Sequence, residues 1–131
     1  MGRPKEFCTE AALERALAVF WRYGFEGASM AELTSTMGIT KPSLYAAYGN
    51  KEELFRKALD LYDRKYLGFM RDALEEPTSR DVASKVLFGV VRTSTNDAHP
   101  LGCMSTNGAL VCSVAAEGIR AEVLELSLIH I

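Results

Sequence analysis

The sequence predicts an all-α protein: three short N-terminal helices, a long fourth helix, and a further helical layer behind it. Two observations carry this. Apolar residues recur at helical spacing in one stretch after another, and no stretch alternates with the two-residue period of a strand. Most of these stretches open on a Ser, Thr or Asn of the kind that caps a helix, and three of the first ones close on glycine.

The elements follow in order. Thr9 caps "EAALERALAVFWRYG", in which Leu13, Ala16, Leu17 and Phe20 form one face and Gly24 supplies a stop. Ser29 opens "SMAELTSTMG", with Glu32 completing a capping box. Met30, Leu33 and Met37 form its apolar face, and Gly38 can take the left-handed conformation that ends it. Thr40 caps "KPSLYAAY", where Pro42 is tolerated because first-turn amides have no helical partners, and Gly49 closes it. Asn50 with Glu53 is a second capping box. It opens the long fourth helix, with Leu54, Ala58, Leu61, Tyr62, Tyr66 and Phe69 along one side, running to Glu76-Pro77. Thr78 with Asp81 starts a fifth helix through Val82, Val86, Phe88, Val90 and Val91. Residues 96–102, "NDAHPLG", read as a loop; a sixth helix starts near Cys103 and runs to about Ala116, and "EGIRAEVLEL" begins a seventh. The natural boundary lies in the fourth helix. Residues 1–51 form a head, on which the next turns to about residue 58 pack, and residues 52–131 form a partial second domain. Its last residues, 126–131 ("LSLIHI"), carry no cap and do not continue the amphipathic pattern, so they are expected to be a non-native tail.

Composition excludes several classes. Hydrophobic residues make up 48% of the 131, enough for a core, yet no apolar run approaches the roughly 18 residues of a membrane span. The N-terminus has no signal-peptide core, which places the protein in the cytoplasm. Residues 1–51 carry six Lys/Arg against five Asp/Glu, and residues 52–131 nine against twelve, so a positive surface needs clustering in space. The three cysteines, Cys8, Cys103 and Cys112, are odd in number and read as reduced thiols. Cys103 and Cys112 lie nine apart, on opposite faces of a helix that advances about 100° per residue. Cys103, at a helix N-terminus, is nevertheless a candidate redox-responsive thiol. The two histidines, His99 and His130, fit no metal-ligand spacing, and neither a phosphate-binding glycine loop nor a nucleophile elbow is present. No catalytic residue, metal or cofactor is expected.

The second and third helices, joined by "MGI", make a helix-turn-helix. Gly38 supplies the turn's positive φ, Ile39 plugs the junction, and the third helix stands proud, as a DNA recognition helix does in the major groove. Tyr45 and Tyr48, three apart, share a face in this reading, with rings on the head and hydroxyls toward phosphate. Lys51 falls in the first turn of the fourth helix, where a cation, free amides and the positive helix end all favour phosphate. Thr40 and Ser43 flank them. Arg3 and Lys5 precede the first helix as a basic arm directed at the DNA backbone or minor groove. A pure protein-interaction module would leave this helix-turn-helix unexplained.

The stretch "AALERALAVFWRYGFEGASMAELTSTMGITKPSLYAAYGNKEELFRKAL", behind a "GRPK" arm, resembles the DNA-binding head of tetracycline-repressor-type (TetR family) regulators over residues 7–58. The resemblance implies DNA-backbone contacts from Thr40, Ser43, Tyr45, Tyr48 and Lys51, with Ser29 among the DNA-binding set. It implies base-edge contacts from Lys41 and the small face of Ser43, Ala46 and Ala47. It further implies a repressor of a palindromic operator, released by a small-molecule effector, with a helical ligand-binding and dimerisation domain. A redox-responsive regulator using Cys103 is the alternative. "HPLGCMSTNGALVC" is similar to the loop and sixth-helix start of one group of these regulators. Phe69, Met70, Phe88, Cys103, Met104 and Asn107 are the pocket candidates, with Val86, Val90, Leu110 and Val111 beside them. The family pairs through two further helices, so a homodimer is expected of the full-length protein. The 131-residue chain is expected to bind poorly and to expose apolar surface on its fifth and sixth helices.

Overall fold

The computed structural model describes residues 5–104 and 117–129, with side chains described from residue 10 to residue 104 and at most positions from 118 to 125. Arg3, Asn107, Leu110, Val111, Cys112 and His130 lie outside the described residues. All described elements are helices.

Helix α1 spans Lys5–Gly27. It starts ahead of Thr9, so Lys5 belongs to the helix and not to an extended arm. Gly24 breaks the helical path with φ 76° and ψ 177°, a conformation open to glycine, and one further turn follows.

Helices α2 (Met30–Met37) and α3 (Lys41–Tyr48) have eight residues each, too short to stand alone in water. Caps and burial hold them. Ser29 Oγ accepts from the Glu32 N–H at 3.0 Å, and Thr40 Oγ1 accepts from the Ser43 N–H at 3.3 Å. Gly38, at φ 71° and ψ 29°, ends α2 with its N–H on the Thr34 and Ser35 carbonyls. Asn50 Oδ1 accepts from the Glu53 N–H at 2.8 Å and opens α4 (Lys51–Tyr66).

The fourth helix is shorter than its sequence pattern suggests. It ends at Tyr66, Leu67 turns out of the helical conformation (φ −106°, ψ 1°), and a short α5 (Gly68–Ala73) follows. Gly68 is a weak helix former and Leu67 is buried, so propensity and burial both favour the break. It aims Phe69 at α6 (Ser79–Thr95), where the ring lies directly against the backbone of Gly89. Thr78 Oγ1 caps α6 through the Asp81 N–H at 3.1 Å. Helix α7 covers Glu117–Ile129 and continues through residues 126–129, so the backbone does not break at the expected tail.

Helix α4 packs most extensively on α1 and also carries α7, while α5 packs on α6. Phe20 of α1 meets Phe55 of α4 edge-on at 5.0 Å, and Trp21 meets Tyr62 edge-on at 4.9 Å. Leu33 and Met37 of α2, and Leu44 and Tyr48 of α3, complete this core from one side; Ile119 and Val123 of α7 join it too. Each such buried side chain contributes about 1.5–3 kcal/mol. Polar ties run along the same helices: Lys65 to Glu14 at 2.7 Å, and Arg56 to both Glu53 and Glu122 at 2.7 Å.

On α6 the inward stripe is Val82, Val86, Gly89 and Thr93, all buried or half-buried. Phe88 and Val91 fall on other faces and are 71% and 59% exposed, as are Leu87 and Val90 in large part. Phe88 therefore does not line an interior pocket with Phe69. A run of valines and aromatics hid this, because the small Gly89 is what lets α6 approach Phe69. The expectation of exposed apolar surface on this helix holds.

Gly89→Ala tests that packing. In an exposed helix the change would stabilise by up to about 1 kcal/mol. Here the new methyl meets the Phe69 ring, and a loss of about 1–2 kcal/mol is expected in urea unfolding. A gain in stability would contradict the Phe69–Gly89 contact.

Candidate nucleic-acid interface

Helix α3 is amphipathic over only two turns. Leu44 and Tyr48 are buried and Ala47 packs partly against the core, while Lys41, Pro42, Ser43, Tyr45 and Ala46 are exposed. Residues three apart differ by about 60° in direction, enough to straddle the edge of the buried stripe. Tyr45 and Tyr48 accordingly do not share a face: Tyr45 is 41% exposed and Tyr48 is 3% exposed. Burial raises the Tyr48 phenol pKa, and the Lys57 ammonium lies 5.4 Å from its ring centroid. Tyr48 is the anchor of α3, and Ala47 belongs to the same inner side rather than to a base-facing surface.

The outer side is polar. Thr40 Oγ1 donates to Ser43 Oγ at 2.9 Å, which fixes both hydroxyls beside the first turn of α3. Lys41 is exposed at that turn. Ser29 is exposed in the same role at the start of α2. Lys51 is the first residue of α4 and half-buried, its ammonium 4.7 Å over the Phe25 ring. Burial lowers its pKa, and the nearby Glu26 carboxylate offsets part of that effect. The lysine is thus held in place by an aromatic face at a positive helix end, with little rotamer freedom left to lose on meeting an anion.

The nominated pocket residues are only partly brought together. Cys103 Sγ lies 3.4 Å from the Tyr62 hydroxyl, and Met104 is buried beside the core. Burial, reinforced by the Cys103 contact, raises the Tyr62 pKa strongly, so the phenol stays protonated. Phe69 and Met70 pack partly buried against the core from α5.

Sequence reasoning left His99 idle in its loop. In the structure its imidazole stacks on Trp21, with centroids 4.2 Å apart and planes 20° from parallel, and Tyr66 meets it edge-on at 4.9 Å. Trp21 Nε1–H donates to the Gly102 carbonyl at 3.2 Å. Beside this contact lies an open cleft of about 290 Å³ between α1, α2 and the loop, lined in part by Arg22, Tyr23, Glu32, Thr36 and Asp97. A loop has no periodicity to reveal such docking; the one available signal was a lone tryptophan on a helix face with no aromatic partner in its own helix.

Residues 12–58 match the family described as bacterial regulatory proteins, tetR family. The chain belongs to the TetR family. It is similar to the HTH-type transcriptional repressor ComR of Escherichia coli (strain K12), 34% identical over 114 residues, covering 86% of this chain and 54% of ComR. The repressor BdcR of the same strain is 36% identical over 110 residues, covering 82% of this chain and 55% of BdcR. The TetR family transcriptional regulator CifR, solved as a cysteine mutant complexed with 26-bp double-strand operator DNA, superposes with a TM-score of 0.87. The identity is 41%, over 94% of this chain and 65% of that one. The chain thus spans about half the length of the curated relatives it matches. Among the described residues, no helix is long and apolar enough to cross a membrane.

In this TetR-family head the α2–α3 turn depends on Gly38. A methyl there would make only an ordinary contact with Arg15, so the cost of Gly38→Ala is backbone strain alone. A destabilisation of about 1–2 kcal/mol is expected in thermal melting, with the melt still cooperative. An unchanged melting temperature would contradict the left-handed turn.

Proposed function

We propose that this chain is the operator-binding portion of a transcriptional repressor that leaves its DNA when a small-molecule effector binds. The observation that carries the reading is α3. Two turns of helix are anchored by Leu44 and Tyr48, and their outer face offers Lys41, Ser43 and Ala46, with Tyr45 as its one large side chain. That face suits entry into a major groove. Thr40, Ser43, Tyr45, Ser29 and Lys51 serve as phosphate contacts, which position the head without reading sequence. Lys41 and the Ala46 methyl provide direct readout, of guanine and of thymine methyl respectively. Helix α3 has no Arg, Asn or Gln, so DNA shape carries a large share of discrimination. Arg3 and Lys5 add charge at the N-terminus of α1.

The repressors ComR and BdcR, and CifR on its operator, support this reading by similarity. In the whole protein two such heads act as a homodimer on a palindromic site, with recognition helices about 34 Å or a multiple apart. The protein works as a cytoplasmic DNA-binding regulator and performs no catalysis. The effector would lie near Phe69, Met70, Cys103 and Met104. A second reading, in which oxidation of Cys103 is the signal, draws on its contact with the Tyr62 hydroxyl at 3.4 Å. Modification of that sulfur would push directly on α4.

Two substitutions separate the contact types. Lys51→Ala is expected to weaken binding to every duplex and to lower the slope of log affinity against log salt by about one unit. Lys41→Ala is expected to relax preference at one base pair by about 1–3 kcal/mol, leaving generic duplex binding nearly as before. Both are measured by fluorescence anisotropy over a salt series. If Lys51→Ala affected one sequence only, or Lys41→Ala affected all equally, the assignment of roles would be wrong.

A further inference from the structure

The "HPLG" loop is the one motif that the DNA-binding reading does not use, and it is attached to the head with more care than a connector needs. Helix α6 packs chiefly on α5, which in turn packs on α4, and residues 96–102 bring the chain from the end of α6 back to α1. Three contacts converge there. The His99 ring stacks on Trp21 at 4.2 Å. The Trp21 Nε1–H donates to the Gly102 carbonyl at 3.2 Å, so one indole holds the loop at its middle and at its C-terminal end. The Gly102 N–H, in a positive-φ turn (87°), returns to the Ser94 carbonyl at 3.1 Å and locks the loop onto the last turn of α6. Trp21 is itself 1% exposed and wedged against Tyr62 and Tyr66 of α4, so it cannot follow a moving loop.

We propose that His99 is a positioning residue: by stacking on Trp21 under the edge of Tyr66, it clamps the end of α6 to the α1–α4 seam and fixes the head's orientation relative to the α5–α6 pair. The side chain must be flat to do this. Its face covers the indole at 20° from parallel while Tyr66 meets it in a T-shaped contact at 4.9 Å, and the Nδ1–Pro100 carbonyl distance of 3.0 Å holds the ring in that plane. An aliphatic or acyclic side chain fills the space without the stack. The consequence for function rests on the DNA-binding reading, because two heads can meet two half-sites only if each is held at a set angle. The clamp itself does not depend on that reading.

The test needs no DNA, so its failure is distinct from failure of the proposed function. Spin labels introduced through non-cysteine chemistry at exposed Ser35 on α2 and exposed Arg92 on α6 report the head-to-α6 distance by pulsed electron resonance. The parent chain is expected to give one narrow distribution. His99→Ala is expected to broaden it about twofold while circular dichroism stays helical, as local release without global unfolding requires. His99→Phe, which keeps a flat ring, is expected to restore the narrow distribution; a loss of stability alone would not follow ring shape in this way. If His99→Ala unfolds the chain, His99→Gln, which keeps a polar group but no ring, takes its place with the same expectation. An equally narrow distribution in the ring-less variant, or a His99→Phe distribution as broad as that of the ring-less variant, overturns the proposal.

Discussion

The aromatic seam between α1 and α4 is the constraint on which everything else depends. Phe20, Trp21 and Phe25 from one side interleave with Phe55, Tyr62 and Tyr66 from the other through edge-on contacts near 5 Å. Such pairs contribute about 0.5–1.5 kcal/mol beyond the area they bury. More important is what they fix. The Phe20 end of the seam carries α2 and α3, which are too short to persist unsupported. The Trp21 end receives the loop that closes α6. A single packed interface therefore sets both the surface offered to DNA and the connection to the rest of the chain.

The proposed DNA surface follows from this division of labour. Helix α3 buries Leu44 and Tyr48 in the core and leaves Lys41, Ser43 and Ala46 outside with a single large side chain, Tyr45, whose phenol hydroxyl can itself meet a phosphate. Its neighbours present hydroxyls and helix starts rather than a dense patch of charge, in keeping with a formal net charge of −2. Lys51 shows the same economy: one cation, pinned over Phe25 at a helix N-terminus, replaces several mobile ones. The proposed homodimer would offset this low charge, since effective concentration supplies affinity that one head lacks.

Most of the head was legible in the sequence because local signals and packing agree there. Ser29, Thr40, Asn50 and Thr78 each cap the helix their spacing indicated, and Gly24 and Gly38 break or end helices where expected. Reading failed where tertiary packing overrode local pattern. The fourth helix carries an apolar stripe past Tyr66, yet buried Leu67 and the pairing of Phe69 with Gly89 turn the chain there. Thr9 looked like a cap and lies within α1. Tyr45 and Tyr48 looked equivalent, and a 60° difference in direction, about one-sixth of a helical turn, placed one outside and one inside. His99 was unreadable because aromatic stacking across 78 residues of chain leaves no periodic trace. Among the pocket candidates, Phe88 had the right composition but lies on an exposed face of α6.

The central claim is that the exposed face of α3 and the neighbouring helix starts form the DNA-contacting surface. Amide chemical-shift mapping tests it most directly. Isotope-labelled protein is titrated with a generic duplex at low salt, since phosphate contacts do not require a specific sequence. The account predicts that the shifts concentrate on Ser29, residues 40–46, Asn50 and Lys51, and fade together as salt rises. Shifts centred on α6, or a spectrum unchanged by duplex at low salt, would contradict it.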